Sequence, residues 1–287
     1  MELDAARARE AVRRHVAEPL GMGVEEAARG MLAIVDNAMV GALRVVSVER
    51  GHDPRDFALV AFGGAGPLHG TALASLLGVR TVVVPRHPGV LCAQGLLAAD
   101  LGAEFTRSLR HGQAGSDAAV ASAFEELEAS ARAWFAEEAV PRDARSTAPV
   151  VLMRYAGQGS ELPVPWRGSI AAAEADFAAS HRALYGFDLP EGVPELVTLR
   201  IEARGLLPAP AATILAPGKG ARPRGSHRMH LADGPCEAAI YERGELGAGD
   251  AFAGPAIVLQ FDATTLVPPG WRARAHPSGV LLLERGD

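Results

Sequence analysis

Residues 57–70 read Phe-Ala-Leu-Val-Ala-Phe-Gly-Gly-Ala-Gly-Pro-Leu-His-Gly. An apolar run ends in four small residues, Gly63, Gly64, Ala65 and Gly66, and Pro67 closes the turn. Such a sequence gives up side-chain packing and carries a large conformational-entropy cost. It makes physical sense where another chain segment or a ligand comes close to the main chain. Pro67 suits the first turn of a helix, where its missing N–H is not needed. A strand, a turn of small residues and a helix together present backbone N–H groups to an anion or a nucleotide. The loop has neither GxxxxGK[ST] nor the GxGxxG spacing, so neither the P-loop nor the Rossmann fingerprint applies. A tight helix–strand crossing accounts for the glycines as well as a ligand does.

Working outward, residues 3–17 and 24–49 are predicted helices, broken at Pro19-Leu20-Gly21. In the second, Ala28, Met31, Leu32, Val35, Met39, Ala42, Leu43 and Val46 recur at helical spacing and form one apolar face. Arg50-Gly51-His52-Asp53-Pro54 is a turn. A strand at 56–62 leads into the glycine turn, followed by helix 67–77, strand 80–84 and helix 88–101. This alternation is that of an α/β unit. Another strand is predicted at 103–110 and an amphipathic helix at 116–138. Further along, VVLMRYAG, SELPVPW and ELVTLRIEARG are predicted strands, with a helix at 171–184. The Pro-, Ala- and Gly-rich stretch that follows is a linker, and short glycine-punctuated β segments then suggest a small barrel or sandwich. The expected divisions are 1–146, 147–206, a linker at 207–226 and a small β domain at 227–287.

Composition bounds the function classes. The chain has 287 residues, 48% hydrophobic and 22% charged, which is globular composition. A net charge of -6 offers no electrostatic footprint for nucleic acid or an anionic membrane surface. No uninterrupted apolar run approaches the roughly 18 residues of a membrane span. The charged N-terminal sequence is unlike a signal peptide, and a cytoplasmic location is expected. Cys92 and Cys236, the two cysteines, are far apart, which argues against a disulfide framework or a cysteine-based zinc site. Lys219, the one lysine, sits in the linker.

Four stretches taken together are more specific than any one alone. They are VDNAMVGALRVVSVERGHDPRDFALVAFGGAGPLHG, VVVPRHPGVLCAQGLLAADL, RYAGQGSELPVP and GPAIVLQFDATTLVPPGW. In this order they resemble the hydantoinase A / 5-oxoprolinase family, which includes the acetone carboxylase β-type subunits. The resemblance covers about residues 3 to 285. It implies part of the second lobe of an actin-like ATPase fold, followed by an α+β section and the small β domain. It also implies ATP as cofactor with magnesium. AFGGAGP then corresponds to the turn that cradles adenosine, which makes Gly63, Gly64, Ala65, Gly66 and Pro67 candidate nucleotide-binding residues. His69, on the first turn of the helix, joins them as a candidate, with a capping or packing histidine as the simpler reading. No catalytic residue and no metal ligand is assigned.

The departure from the family is equally informative. The only Gly-Gly pair is 63–64, no Asp precedes it, and there is no DxGGT-like phosphate turn. The expectation is therefore a C-terminal half, either a split subunit or a truncated product, unable to hydrolyse ATP alone. The implied activity is ATP-dependent hydrolysis of a cyclic amide, with phosphoryl transfer activating the ring carbonyl. The expected partners are the N-terminal half or subunit of the same enzyme, a hydantoinase B-type subunit and a small cyclic amide. An ATP-dependent ketone carboxylase subunit and a non-catalytic assembly module are the alternatives.

Other residues have simpler readings. Asn37, Arg44, Glu49 and Arg50 surround the approach to the turn and read as a solvated helix end, with Asp53 as a turn former. Cys92 reads as a buried, inert thiol, and Ala93, Gly95 and Ala98 as a small-residue packing face. Gln94 is the polar exception there. Gly157 and Gly159 bracket Gln158 in a bulge or turn, within a block that includes Tyr155 and Glu161. His227 and His230 fall on opposite faces of a strand, which disfavours a metal pair. Asp262, Thr264 and Thr265 belong to a hairpin turn.

Overall fold

The computed structural model describes residues 4–109, 115–187, 189, 191–208, 214–231 and 234–286. Two compact units emerge: Met1–Gly95 with Ala211–Asp287, and Leu96–Pro210. These divisions differ from those read from the sequence, because contacts distant in the chain decide them. Leu281–Arg285 pairs antiparallel with Thr81–Val84, so the C-terminal strands share a sheet with the strand after the glycine turn. Among the described residues, the strands of 227–287 group with Met1–Gly95.

In the first unit a five-stranded sheet has the order Leu59–Val60, Thr81–Val84, Leu281–Arg285, Trp271–Ala275, Ala251–Ala253. Only its first pair is parallel. A second, four-stranded sheet runs Thr264–Val267, Ala256–Leu259, Gly234–Glu242, Gly225–Leu231. Both contribute to one core, in which Val82, Val84, Leu281 and Leu283 meet Tyr241, Phe252 and Val258. Tyr241 and Phe252 stack at 3.9 Å.

The strand expected at 56–62 shortens to Leu59–Val60, because Pro54–Asp56 forms a 3-10 turn capped by Asp53. Helix Gly66–Leu77 starts with Pro67 in its first turn and stops at Gly78, whose φ of +74° is a conformation that side chains disfavour. The linker's described part is tied down. Gly218 donates its N–H to Ala248, and the buried carboxylate of Asp250 accepts from the Gly220 and Gly247 N–H groups. Residues 209–213 of that stretch lie outside the described residues.

Helix Val24–Val46 carries the expected apolar face but buries only Ala27, Asp36 and Val40. Ile34 is 72% exposed, and Leu32, Val35, Val45 and Val46 are also exposed. The stretch Val24–Arg50 is long and apolar enough to cross a membrane by length and composition alone, although no uninterrupted run of that length exists.

The second unit has one antiparallel sheet in the order Leu101–Ser108, Pro194–Gly205, Arg145–Tyr155, Leu162–Pro165. Helices Asp117–Glu137 and Ile170–Tyr185 cover it. Each starts at a serine whose hydroxyl accepts a first-turn N–H: Ser116 from Ala119, Ser169 from Ala172. Phe124, Phe135, Phe177, Met153 and Ile201 form its core. The helix at 117–137, read from the sequence as part of the first section, thus packs on strands of the second.

Candidate functional site

The glycine turn joins Leu59–Val60 to helix Gly66–Leu77. Gly63 has φ +81° and donates its N–H to the Pro88 carbonyl at 2.7 Å. Its conformation therefore calls for glycine. Gly64 and Gly66 have ordinary backbone angles and room to spare. A Cβ on Gly64 would stand 3.7 Å from the Asp262 carbonyl oxygen, and one on Gly66 would stand 3.6 Å from Ala61. The tight position is Gly70, one turn into the helix, where a Cβ would meet Ala61 at 3.0 Å and Val82 at 3.1 Å. So the helix–strand crossing accounts for Gly70 and leaves Gly64 and Gly66 without an internal packing reason. Gly64 and Ala65 are exposed, Gly63 and Gly66 half-buried, and Pro67 is buried.

Beside this turn a cavity of about 320 Å³ opens between the long helix and the short strand. Met39, Leu43, Leu59, Phe62, Gly66 and Leu73 are among its lining residues. Of the six candidate residues, only Gly66 lines it. His69 faces the long helix instead, its Nδ1 2.7 Å from Asp36 Oδ1, both side chains largely buried. An ionised carboxylate only accepts, so Nδ1 donates and the ring's orientation is fixed while Nε2 stays available. The sequence reading missed Asp36. Its signal is its place as the single acidic residue between Met31 and Val40, whereas the amide of neighbouring Asn37 bonds Ala33 on its own helix.

Pro88–Val90 forms a 3-10 turn against the hairpin at 260–263. A Cβ on Gly89 would lie 2.5 Å from the Asp262 carbonyl oxygen, and the Gly89 N–H donates to Asp262 Oδ2 at 2.9 Å. Asp262 thus occupies the expected hairpin turn and also anchors the segment that follows strand 81–84. Helix Leu91–Ala98 corrects the sequence reading: it buries no residue, Cys92 is exposed, and nothing lies within 4 Å of a Cβ on Gly95. Asp53 is a turn former. It accepts from the Arg55 N–H and side chain, and that guanidinium holds its carboxyl down at about 2. Arg44, Glu49 and Arg50 are exposed.

In the second unit Gly157, at φ +85°, makes the turn after Tyr155, while the β-bulge falls between Leu152 and Met153. Tyr155 stacks edge-on to Phe177 and His181 in the core. His227 and His230 are exposed. Among the described residues no three His, Cys, Asp or Glu side chains converge as a cation site.

The profile of the hydantoinase/oxoprolinase family matches residues 1–105. Beyond that segment, similarity continues over nearly the whole chain. The alpha subunit of caprolactamase from Pseudomonas jessenii is 32% identical across 100% of this chain. Residues 1–105 belong to the hydantoinase/oxoprolinase family. The crystal structure of the ATP-dependent caprolactamase from that organism superposes with a TM-score of 0.80 at 30% identity, covering 99% of this chain and 43% of that one. An uncharacterised protein of Methanocaldococcus jannaschii is 34% identical over 94% of this chain. The acetone carboxylase beta subunit of Xanthobacter autotrophicus is 29% identical, also over 94%. The chain spans 39% to 43% of the length of these relatives.

Proposed function

We propose that this chain is the C-terminal half of an ATP-dependent cyclic amide hydrolase, supplying the nucleotide-side wall of its active site. The observation that carries this reading is the similarity to an ATP-dependent caprolactamase over 99% of the chain, combined with an open glycine turn that internal packing leaves unexplained at Gly64 and Gly66. On this reading the part of 1–146 that lies in the first unit, up to Gly95, is the second-lobe segment of an actin-like ATPase. Adenosine lies over the main chain of Gly63, Gly64, Ala65 and Gly66, near the apolar wall made by Met39, Leu43 and Phe62. Pro67 fixes the start of the helix. His69, held by Asp36, stiffens the joint between that helix and the long one.

In the proposed reaction the ring carbonyl oxygen attacks the γ-phosphorus of ATP, and ADP leaves. The carbon that bears the O-phosphoryl group then adds water and its C–N bond breaks, the ring nitrogen taking a proton, to leave a ring-opened acyl phosphate. A second water hydrolyses this to the carboxylate and inorganic phosphate. Such transfer depends on positioning and charge stabilisation. Magnesium and its ligands belong to the segment that this chain does not span. That segment would pack on the exposed apolar face of the long helix at Leu32, Ile34 and Val35, and a B-type subunit would complete the enzyme.

The test is coexpression with the reading frame that supplies the remaining length. ATP turnover is then assayed against caprolactam, 5-oxoproline and hydantoin, and against acetone with bicarbonate. Turnover with a cyclic amide is expected. Stimulation by ketone and bicarbonate alone would replace the hydrolase reading with a carboxylase, and no nucleotide binding with or without the partner would leave an assembly module. Gly64→Leu in the same complex should abolish nucleotide binding while leaving the melting temperature of the chain unchanged, since the fold has room at that position.

A further inference from the structure

A second cavity, of about 420 Å³, lies wholly within the first unit, where the end of strand 81–84 meets the turn at 243–245. Two arginines line it, Arg86 and Arg243. The Arg243 guanidinium donates through Nη2 to the Gly279 carbonyl at 2.6 Å, but its Nη1 is buried with no hydrogen-bond partner. The Arg86 stem runs along the same glycine, whose missing Cβ would stand 3.0 Å from Arg86 Cδ. Two cations therefore converge beside Gly279, and among the described residues neither has a carboxylate partner.

The acidic residues in the wall do not supply one. Asp262 Oδ2 already accepts from the Gly89 N–H, and Glu242 lies in the field of Arg224, whose charge it favours. Burial, reinforced by the neighbouring Arg86 charge, pushes Arg243 down to about 10. A buried guanidinium with an unmade hydrogen bond and a like-charged neighbour is costly twice over. Chains keep such an arrangement where an oxyanion relieves both penalties at once, because the planar fork of arginine matches two oxygens. The remaining wall is apolar, with Val90, Leu215 and Leu246, and Phe261 stands fully exposed at the rim.

We propose that this cavity binds a small organic oxyanion, a carboxylate or a phosphate, whose oxygens bridge Arg86 and Arg243 and whose body rests on Val90 and Leu246. Gln260, Phe261 and Asp262 form one wall of the cavity, and the Asp262 carbonyl also faces Gly64 of the glycine turn. The assignment is independent of the nucleotide reading.

The experiment titrates the full chain with inorganic phosphate and, separately, with acetate and hexanoate, against chloride at matched ionic strength. Calorimetry and thermal melting are the readouts. Saturable one-site binding of phosphate or of a carboxylate is expected, and which of the two binds identifies the source of the oxyanion. Arg243→Met should weaken that binding by about tenfold or more, Arg86→Met by several-fold, and Arg224→Met, on the surface, not at all. Should Arg243→Met fail to fold, Arg86→Met alone decides. No saturable binding, an equal effect of chloride, or binding that survives Arg86→Met would each overturn the proposal.

Discussion

The two units handle the same sequence signal in opposite ways. Helix Asp117–Glu137 and helix Val24–Val46 both carry apolar residues at helical spacing. The first buries Val120, Ala123, Phe124, Leu127, Ala131 and Phe135 against its own sheet. The second, longer and more apolar, buries three residues and leaves Ile34 72% exposed. An amphipathic pattern says that a face is made to be covered; it does not say by what. The helix at 117–137 is covered by its own sheet, and the first unit keeps a helix face that its own sheets do not reach.

This contrast is breakable by substitution. Phe177, fully buried in the second unit against Tyr155, should cost about 3–5 kcal/mol on replacement by alanine, read by urea unfolding. A small loss would mean that the core of the second unit is not packed as described. In the first unit the corresponding support is polar. Asp250→Ala leaves the Gly220 and Gly247 N–H groups without their acceptor and should cost about 2–3 kcal/mol, with faster amide exchange at both. Two glycines sharpen the picture further. Gly89→Ala drives a methyl into Asp262 and should cost about 1–3 kcal/mol, whereas Gly95→Ala, in open space on an exposed helix, should add up to about 1 kcal/mol, both by thermal melting. At the bottom of the scale, Ile34→Ser on the uncovered helix should shift stability by less than about 0.5 kcal/mol. Its effect should appear as weaker association with the coexpressed remaining segment in sedimentation.

Local chemistry made much of this readable from the sequence. Pro67 and Gly78 mark the ends of one helix, Ser116 and Ser169 start two others, and the alternation in ELVTLRIEARG marks a strand, because each signal acts within a few residues. The divisions were not readable, because the pairing of Leu281–Arg285 with Thr81–Val84 leaves no trace in either segment. The candidate site was legible in part. The glycine turn announces itself, but its environment does not. That Asp36 reaches His69, that Gly70 rather than Gly64 is the packed position, and that Arg86 faces Arg243 all depend on residues brought together by folding. Cys92 misled for the same reason: an apolar neighbourhood in sequence implied burial, and its helix buries nothing.

The strand Leu281–Arg285 lies between Thr81–Val84 and Trp271–Ala275. A ribosome therefore releases the strand at 81–84 roughly 200 residues before its neighbour exists, and emits all of the second unit in between. The nascent chain would complete that inserted body first, with the glycine turn waiting on a half-built sheet until the strand at 281–285 emerges.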